Sequence, residues 1–175
     1  MDSDASKQAV CVSAGKDRFT NEQLTIWGLI PLSTKLSSRD TGGGLYAFEH
    51  TDMGKGGPPR HVHFHQDEWF YIIKGSFAFE IGDEKFQLKS GDAIFAPRNV
   101  PHGWAHIGNG PGTLLTIVSP AGTFEAFILE TTRHAQLPSP EEVEKAFAAH
   151  DMKVVGPPLD VTVHTESRRG PFAGS

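Results

Sequence analysis

The segment His61-Val62-His63-Phe64-His65 sets three imidazoles at alternate positions. On a β-strand, residues i and i+2 point to one face with Cα atoms about 6.6 Å apart, which lets two imidazoles converge on one ion. Glu68 follows after a polar break at Gln66-Asp67, where the β-prone run WFYIIK (residues 69–74) begins. A hairpin between the two segments would set Glu68 opposite His63, facing the same point. Farther on, residues 91–101 read as a turn, a strand and a second turn, and His102 comes next. It can return a fourth ligand from a separate strand, because strands converge easily inside a small barrel. Imidazole with carboxylate suits Fe, Mn, Ni, Co, Cu or Zn and does not choose among them.

Such a site needs short strands to carry it. Residues 69–74 form a continuous apolar run, as a buried strand does. Phe77, Phe79 and Ile81 alternate with Ala78 and Glu80, Phe86 and Leu88 alternate with their polar neighbours, and residues 93–96, 104–107 and 114–119 supply three more strands. Turn signals at Gly75-Ser76, Gly82-Asp83, Ser90-Gly91 and residues 108–112 separate them. Upstream, residues 19–30 have a strand-like mix interrupted by Pro31, and residues 45–51 alternate as a strand. Many short strands this closely spaced predict an all-β antiparallel barrel or jelly roll. Ser139-Pro140-Glu141-Glu142 is a helix start, with Ser as N-cap, Pro in the first turn and Glu at the capping-box position. Val143, Ala146 and Phe147 give that helix one apolar face, and it ends near His150. The expected organisation is a flexible tail over residues 1–17 and a barrel domain over 18–135. A helical extension over 136–155 and an irregular tail over 156–175 follow.

The two segments resemble the paired signature motifs of the cupin superfamily. The first motif runs roughly G-x5-H-x-H-x(3,4)-E-x6-G, and His61, His63, Glu68 and Gly75 match it. The second runs roughly G-x5-P-x-G-x2-H-x3-N, and Gly91, Pro97 and His102 match it. By this resemblance, one divalent metal ion is held by His61, His63, Glu68 and His102. The sequence departs from the pattern at three places. Six residues before His61 stands Lys55, whereas Gly57 stands six before His63. An alternative set of His63, His65 and Glu68 satisfies that glycine, yet leaves only Gln66-Asp67 as a poor two-residue turn. Asn99 replaces the second motif's Gly, and Asn tolerates positive φ best among the other residues. His106 replaces the terminal Asn and shares the strand face of His102. Among the remaining candidates, His65 reads as exposed, and His50, His134, His150 and His164 as surface or satisfied core residues. Phe77, Phe79, Phe86 and Phe95 read as barrel core, as do Trp69, Phe70 and Tyr71, and Glu49 and Asp92 as strand-end charges.

Composition narrows the function classes. With 16 Lys+Arg against 21 Asp+Glu and a net charge of -5, the chain lacks the basic stripe of a nucleic-acid binder. No run of about 18 apolar residues is present for a membrane span, and the polar N-terminus lacks a secretory pattern. The single cysteine, Cys11, excludes an intramolecular disulfide. A cytoplasmic protein is expected. A three-His, one-Glu ion leaves one or two positions where a substrate with adjacent oxygens can chelate and dioxygen can approach. Glu68 can loosen and take a proton from a hydroxylated substrate. Within the superfamily, residues 63–86 and 100–127 are similar to small quercetinase-type cupins. This implies a dioxygenase acting on a flavonol-like or small oxygen-chelating substrate. Two alternatives stand beside it: a non-oxygenase metalloenzyme, such as an isomerase or decarboxylase on a sugar or small acid, and a binding protein without catalysis. The Phe-rich, Arg/Lys-poor pocket strands favour an aromatic or neutral small molecule. A homodimer formed through the edge at residues 19–30 is the expected assembly.

Overall fold

In the computed structural model, residues 9–162 are described. Eleven strands pair antiparallel into two sheets that face one another, a jelly-roll sandwich. In chain order they are β1 (Leu24–Ile26), β2 (Ile30–Leu36), β3 (Tyr46–Met53), β4 (Pro59–His63), β5 (Asp67–Lys74), β6 (Ser76–Ile81), β7 (Glu84–Lys89), β8 (Ala93–Ala96), β9 (His102–His106), β10 (Gly112–Ser119) and β11 (Met152–Pro158). One sheet has the order β1-β2-β3-β10-β5-β8 and the other β11-β4-β9-β6-β7. Helices α1 (Phe124–Thr131) and α2 (Pro140–Ala148) lie between β10 and β11 in the chain.

The strand pattern from residue 67 to 119 follows the expected one closely. The β6–β7 hairpin turns at Gly82-Asp83, where Ile81 pairs with Glu84 and Gly82 takes a left-handed φ of 58°. Asn99 has a φ of 63°, so the motif turn survives with Asn in the glycine position, and its N–H donates to the His63 carbonyl. Alternation along β5 is stricter than the continuous apolar run implied. Phe70 and Ile72 are fully buried, whereas Trp69, Tyr71 and Ile73 lie on the outer, solvent face together with Phe95. Trp69, Tyr71 and Phe95 are therefore not core; the sheet is covered on one face only. Phe77 and Phe79 are buried as expected.

The chain ends depart further from the reading above. Asp17 is buried, and its carboxylate accepts from the N–H groups of Phe19, Thr20 and Thr34, which fastens this segment to β2. Pro31 does not interrupt a strand; it lies inside β2, opposite Thr25 of the short β1. Helix α1 was not expected. Its sequence FEAFILET reads equally well as a strand, and Thr123 makes no side-chain capping bond. Helix α2 has the anticipated capping box, with Ser139 and Glu142 bonding reciprocally. Strand β11 continues through Gly156-Pro157-Pro158, so the irregular tail does not begin at 156. Proline is tolerated there because β11 is an edge strand whose outer side pairs with no strand among the described residues. Residues 163–175, including His164, lie outside the described residues.

Two apolar clusters fill the sandwich. One joins Phe70, Ile72, Phe77, Phe79, Trp104 and Leu114 between the sheets. The other joins Trp27, Tyr46, Phe48, Phe124, Phe127 and Phe147, and so packs both helices onto one end of the barrel. Between these clusters lies the histidine-rich interior.

Candidate metal centre

Strand β4 carries His61 and His63, β5 begins with Asp67-Glu68, and β9 begins with His102. His61 and His102 are register partners on adjacent strands of one sheet. Glu68 belongs to the other sheet, where it pairs with Val118 and Ala96. The expected hairpin between His63 and Glu68 is therefore absent: residues 64–66 cross from one sheet to the other. The carboxylate meets the imidazoles across the barrel interior, with Glu68 Oε2 at 2.8 Å from His102 Nε2 and 3.5 Å from His63 Nε2. One ligand atom from each of His61, His63, Glu68 and His102 lies within 4.8 Å of the other three, and all four residues are buried. The structure gathers the four expected ligands and leaves His65 exposed, so the set with His65 is not formed.

The donor chemistry fits a cation. A carbonyl only accepts, so the Nδ1 atoms of His61 and His102 donate to the Pro59 and Val100 carbonyls at 2.7 and 3.2 Å. Both Nε2 atoms are then bare acceptors aimed inward. At His102 the bare Nε2 faces a carboxylate oxygen, and two acceptors at that distance need a positive charge between them. His63 has both ring nitrogens buried and unpartnered, a costly state unless something binds there. Burial pushes the His61 imidazole down to about 3 and lowers that of His63. Burial alone would raise the Glu68 carboxyl, but the neighbouring His63 and His102 rings bring it down to about 2. Neutral imidazole with ionised carboxylate is the protonation state that ligates metal.

A cavity of about 1040 Å³ opens onto His61 and Glu68. Phe48, Trp104, Phe124, Phe127, Phe147 and Trp27 contribute aromatic rings to a wall that is otherwise mostly aliphatic, Pro and Gly residues. Phe147 of α2 lies edge-on to His61 with ring centroids 5.3 Å apart. The helices and the Gly/Pro loop between β3 and β4 thus complete the mouth of the site. Gly57 in that loop lies so close to the Trp104 carbonyl that a Cβ would collide with backbone. The upstream glycine of the motif therefore serves loop packing against β9, apart from the ligand spacing.

The place of two buried polar residues in the cavity wall was missed in the sequence. His50 follows the core half of its reading, buried and donating from Nδ1 to the Pro31 carbonyl at 2.7 Å, and it also lines the cavity. Thr116 lines the same cavity with an unpartnered Oγ1. The signal for His50 was present in its parity with Tyr46 and Phe48 on one strand. His106, although it shares the face of His102, sits apart from the cluster; its Nδ1 reaches the Gly54 carbonyl at 3.2 Å and its ring packs on Phe77. His150 pairs with Glu130.

Residues 48–118 match the family model described as Cupin domain. Over 65 residues the chain is 35% identical to an uncharacterized protein of Methanocaldococcus jannaschii, covering 37% of this chain and 52% of that protein. It thus spans about half the length of the curated relative it matches. Among solved structures it is similar to KdgF from Halomonas sp., with a TM-score of 0.50, 23% identity, and coverage of 57% of this chain and 86% of that one. It is also similar to Pac13, a nucleoside dehydratase known from Streptomyces, with a TM-score of 0.50, 13% identity, and coverage of 81% and 88%. At these identities the shared property is the cupin fold.

Proposed function

We propose that this protein, with its cupin domain over residues 48–118, is a metal-dependent oxidoreductase of the dioxygenase type. Its substrate on this reading is a flavonol-like or similar ring compound with adjacent oxygens. The observation that carries the proposal is the junction of two unlike surfaces. A buried three-His, one-Glu set lies at one side of a large cavity, and the rest of that cavity is walled mainly by apolar residues, among them six aromatic rings. Such a cavity takes up a ligand by burying apolar area, at about 25 cal/mol per Å². Charged ligands would lose their hydration over most of this wall, since Lys55, Lys153 and Glu144 are exposed.

A bound divalent metal would supply Lewis acidity and, with a redox-active ion, an electron path between substrate and dioxygen. His61, His63, Glu68 and His102 would hold it. The chain's own contribution is orientation and exclusion of water. Phe124 and Phe147 approach the rings of His63 and His61, so a flat ligand entering beside them is steered edge-on toward the ligand set.

The test is oxygen uptake by iron-, manganese-, nickel- or copper-loaded protein with a flavonol. Stoichiometric consumption of dioxygen with loss of the flavonol is the expected result. No uptake with any of these ions, while zinc-loaded protein turns over a sugar or oxoacid, would replace the oxygenase reading with the redox-neutral one.

A further inference from the structure

The metal set leaves one buried nitrogen without a role. His63 Nε2 faces Glu68 Oε2 at 3.5 Å, inside the cluster. His63 Nδ1, across the ring, is buried and has no hydrogen-bond partner. The other two imidazoles differ in this respect. Nδ1 of His61 and Nδ1 of His102 each donate to a backbone carbonyl two residues upstream, at Pro59 and Val100.

Gln66 carries the acceptor that His63 lacks. It sits in the crossover between β4 and β5 and is buried. Its Oε1 is likewise enclosed without a partner, a state that costs about 1–3 kcal/mol. The Gln66 amide reaches the His63 ring from outside the cluster. Its place is fixed by the surroundings. The N–H of Phe64 donates to the Asp151 carbonyl, the N–H of Asn99 donates to the His63 carbonyl, and Asp67 pairs with Arg98. The nitrogen end of the amide packs against Gly122, where a Cβ would collide with it, so the oxygen end is the one left to turn elsewhere. A neutral imidazole has one ring proton. A cation on Nε2 leaves that proton on Nδ1, and the orphan donor and the orphan acceptor then satisfy each other.

We infer that Gln66 is a positioning residue of the metal centre: its Oε1 accepts the Nδ1–H of His63 and keeps Nε2 bare and aimed at the ion. The inference rests on the metal-dependent part of the proposed function and is independent of the substrate. An amide in this place also has a consequence for charge. It orients the ligand as a carboxylate would, yet adds no second negative charge beside Glu68, so a divalent ion keeps a net positive charge toward whatever it binds.

The experiment uses the full chain and zinc, which is redox-silent and diamagnetic. Zinc affinity is measured by competition with a chromophoric chelator, and the histidine tautomers of the zinc-loaded protein by nitrogen–proton NMR. Wild type is expected to hold the His63 proton on Nδ1, slow to exchange and in contact with the Gln66 amide protons. Gln66→Leu removes the acceptor at similar volume. Zinc affinity should fall about ten- to a hundredfold, and the His63 Nδ1 proton should exchange faster while those of His61 and His102 stay as they are. Gln66→Glu returns an acceptor and should regain the affinity. A general loosening of the fold would disturb all three rings together and would not be rescued by Glu. Unchanged zinc affinity and unchanged exchange in Gln66→Leu overturn the assignment and leave the metal centre standing. A wild-type spectrum with the His63 Nδ1 bare overturns it as well, and that spectrum decides even if Gln66→Leu does not fold. If wild type takes up no zinc, the metal-dependent reading fails and the assignment falls with it.

Discussion

At His63 both ring nitrogens are buried without a partner, and at His102 a bare nitrogen faces a carboxylate oxygen. Each is a deficit that one cation repairs, and each depends on a single side chain. His63→Ala removes a ligand from the centre of the set. Metal measured by inductively coupled plasma mass spectrometry should be near-stoichiometric in wild type and at least tenfold lower in this variant, as loss of a ligand implies. A redox-active ion in wild type supports the oxygenase chemistry; zinc supports the redox-neutral alternative. His50 sets a pH dependence of stability. Buried, it titrates near 4, whereas in the unfolded chain it titrates near 6.5. Between these values the unfolded state binds more protons, so stability is full above pH 6.5 and declines as pH falls toward 4, by at most about 3 kcal/mol. In the metal-free protein His61 acts in the same sense. Urea melts at pH 7, 6 and 5 should show this slope, and His50→Phe should show a shallower one.

Among the elements, helix α2 does more for the site than its length suggests. Its buried contacts are Val143 and Phe147, and the Phe147 ring touches Trp27, Phe127 and His61. The helix is thus packed directly against His61 of the buried His/Glu cluster. Phe147→Ala should cost about 3–5 kcal/mol by the usual penalty for emptying a core aromatic site. The expected observation is a lower denaturation midpoint together with weaker flavone binding, since the same ring walls the cavity. A loss of stability with flavone affinity untouched would place the ring outside the ligand's path. Strand β11 has a related role. It pairs with β4 along its length, so the segment after α2 braces the strand that carries His61 and His63.

For the whole molecule, assembly remains a proposal. Strand β1 pairs with β2 on one side and forms one edge of the six-stranded sheet; β8 forms the other edge. On the outer face near β8, Trp69 and Tyr71 are stacked at 5.9 Å, beside Phe95, which is 53% exposed. Large aromatics gathered on one exposed face are uncommon on a monomer. Light scattering after size-exclusion chromatography should give twice the chain mass, and Trp69→Ser with Phe95→Ser should restore the monomer if this face carries the contact. A dimer that survives both changes would point to the β1 edge instead. As to the membrane, no helix among the described residues is long and apolar enough to cross one.

The sequence by itself determined the four residues of the buried His/Glu cluster, the turns between residues 75 and 112, the jelly-roll class and the cap of α2. Each depends on local rules: period-two alternation, turn residues with positive φ, and imidazoles two residues apart on one strand. The tertiary structure decided the rest. His63 and Glu68 meet across two sheets, and no local pattern says which sheet a strand joins, because pairing between distant strands is settled by how the whole core packs. The outward face of Trp69, Tyr71 and Phe95 has the same origin: an apolar run states that a strand forms and is silent on how many of its faces are covered. Helix α1 escaped notice because FEAFILET satisfies strand and helix alike, and the aromatic cluster around Phe124 and Phe127 selects the helix. His50 and Thr116 became site residues only once the sheet order set β3, β10 and β5 side by side.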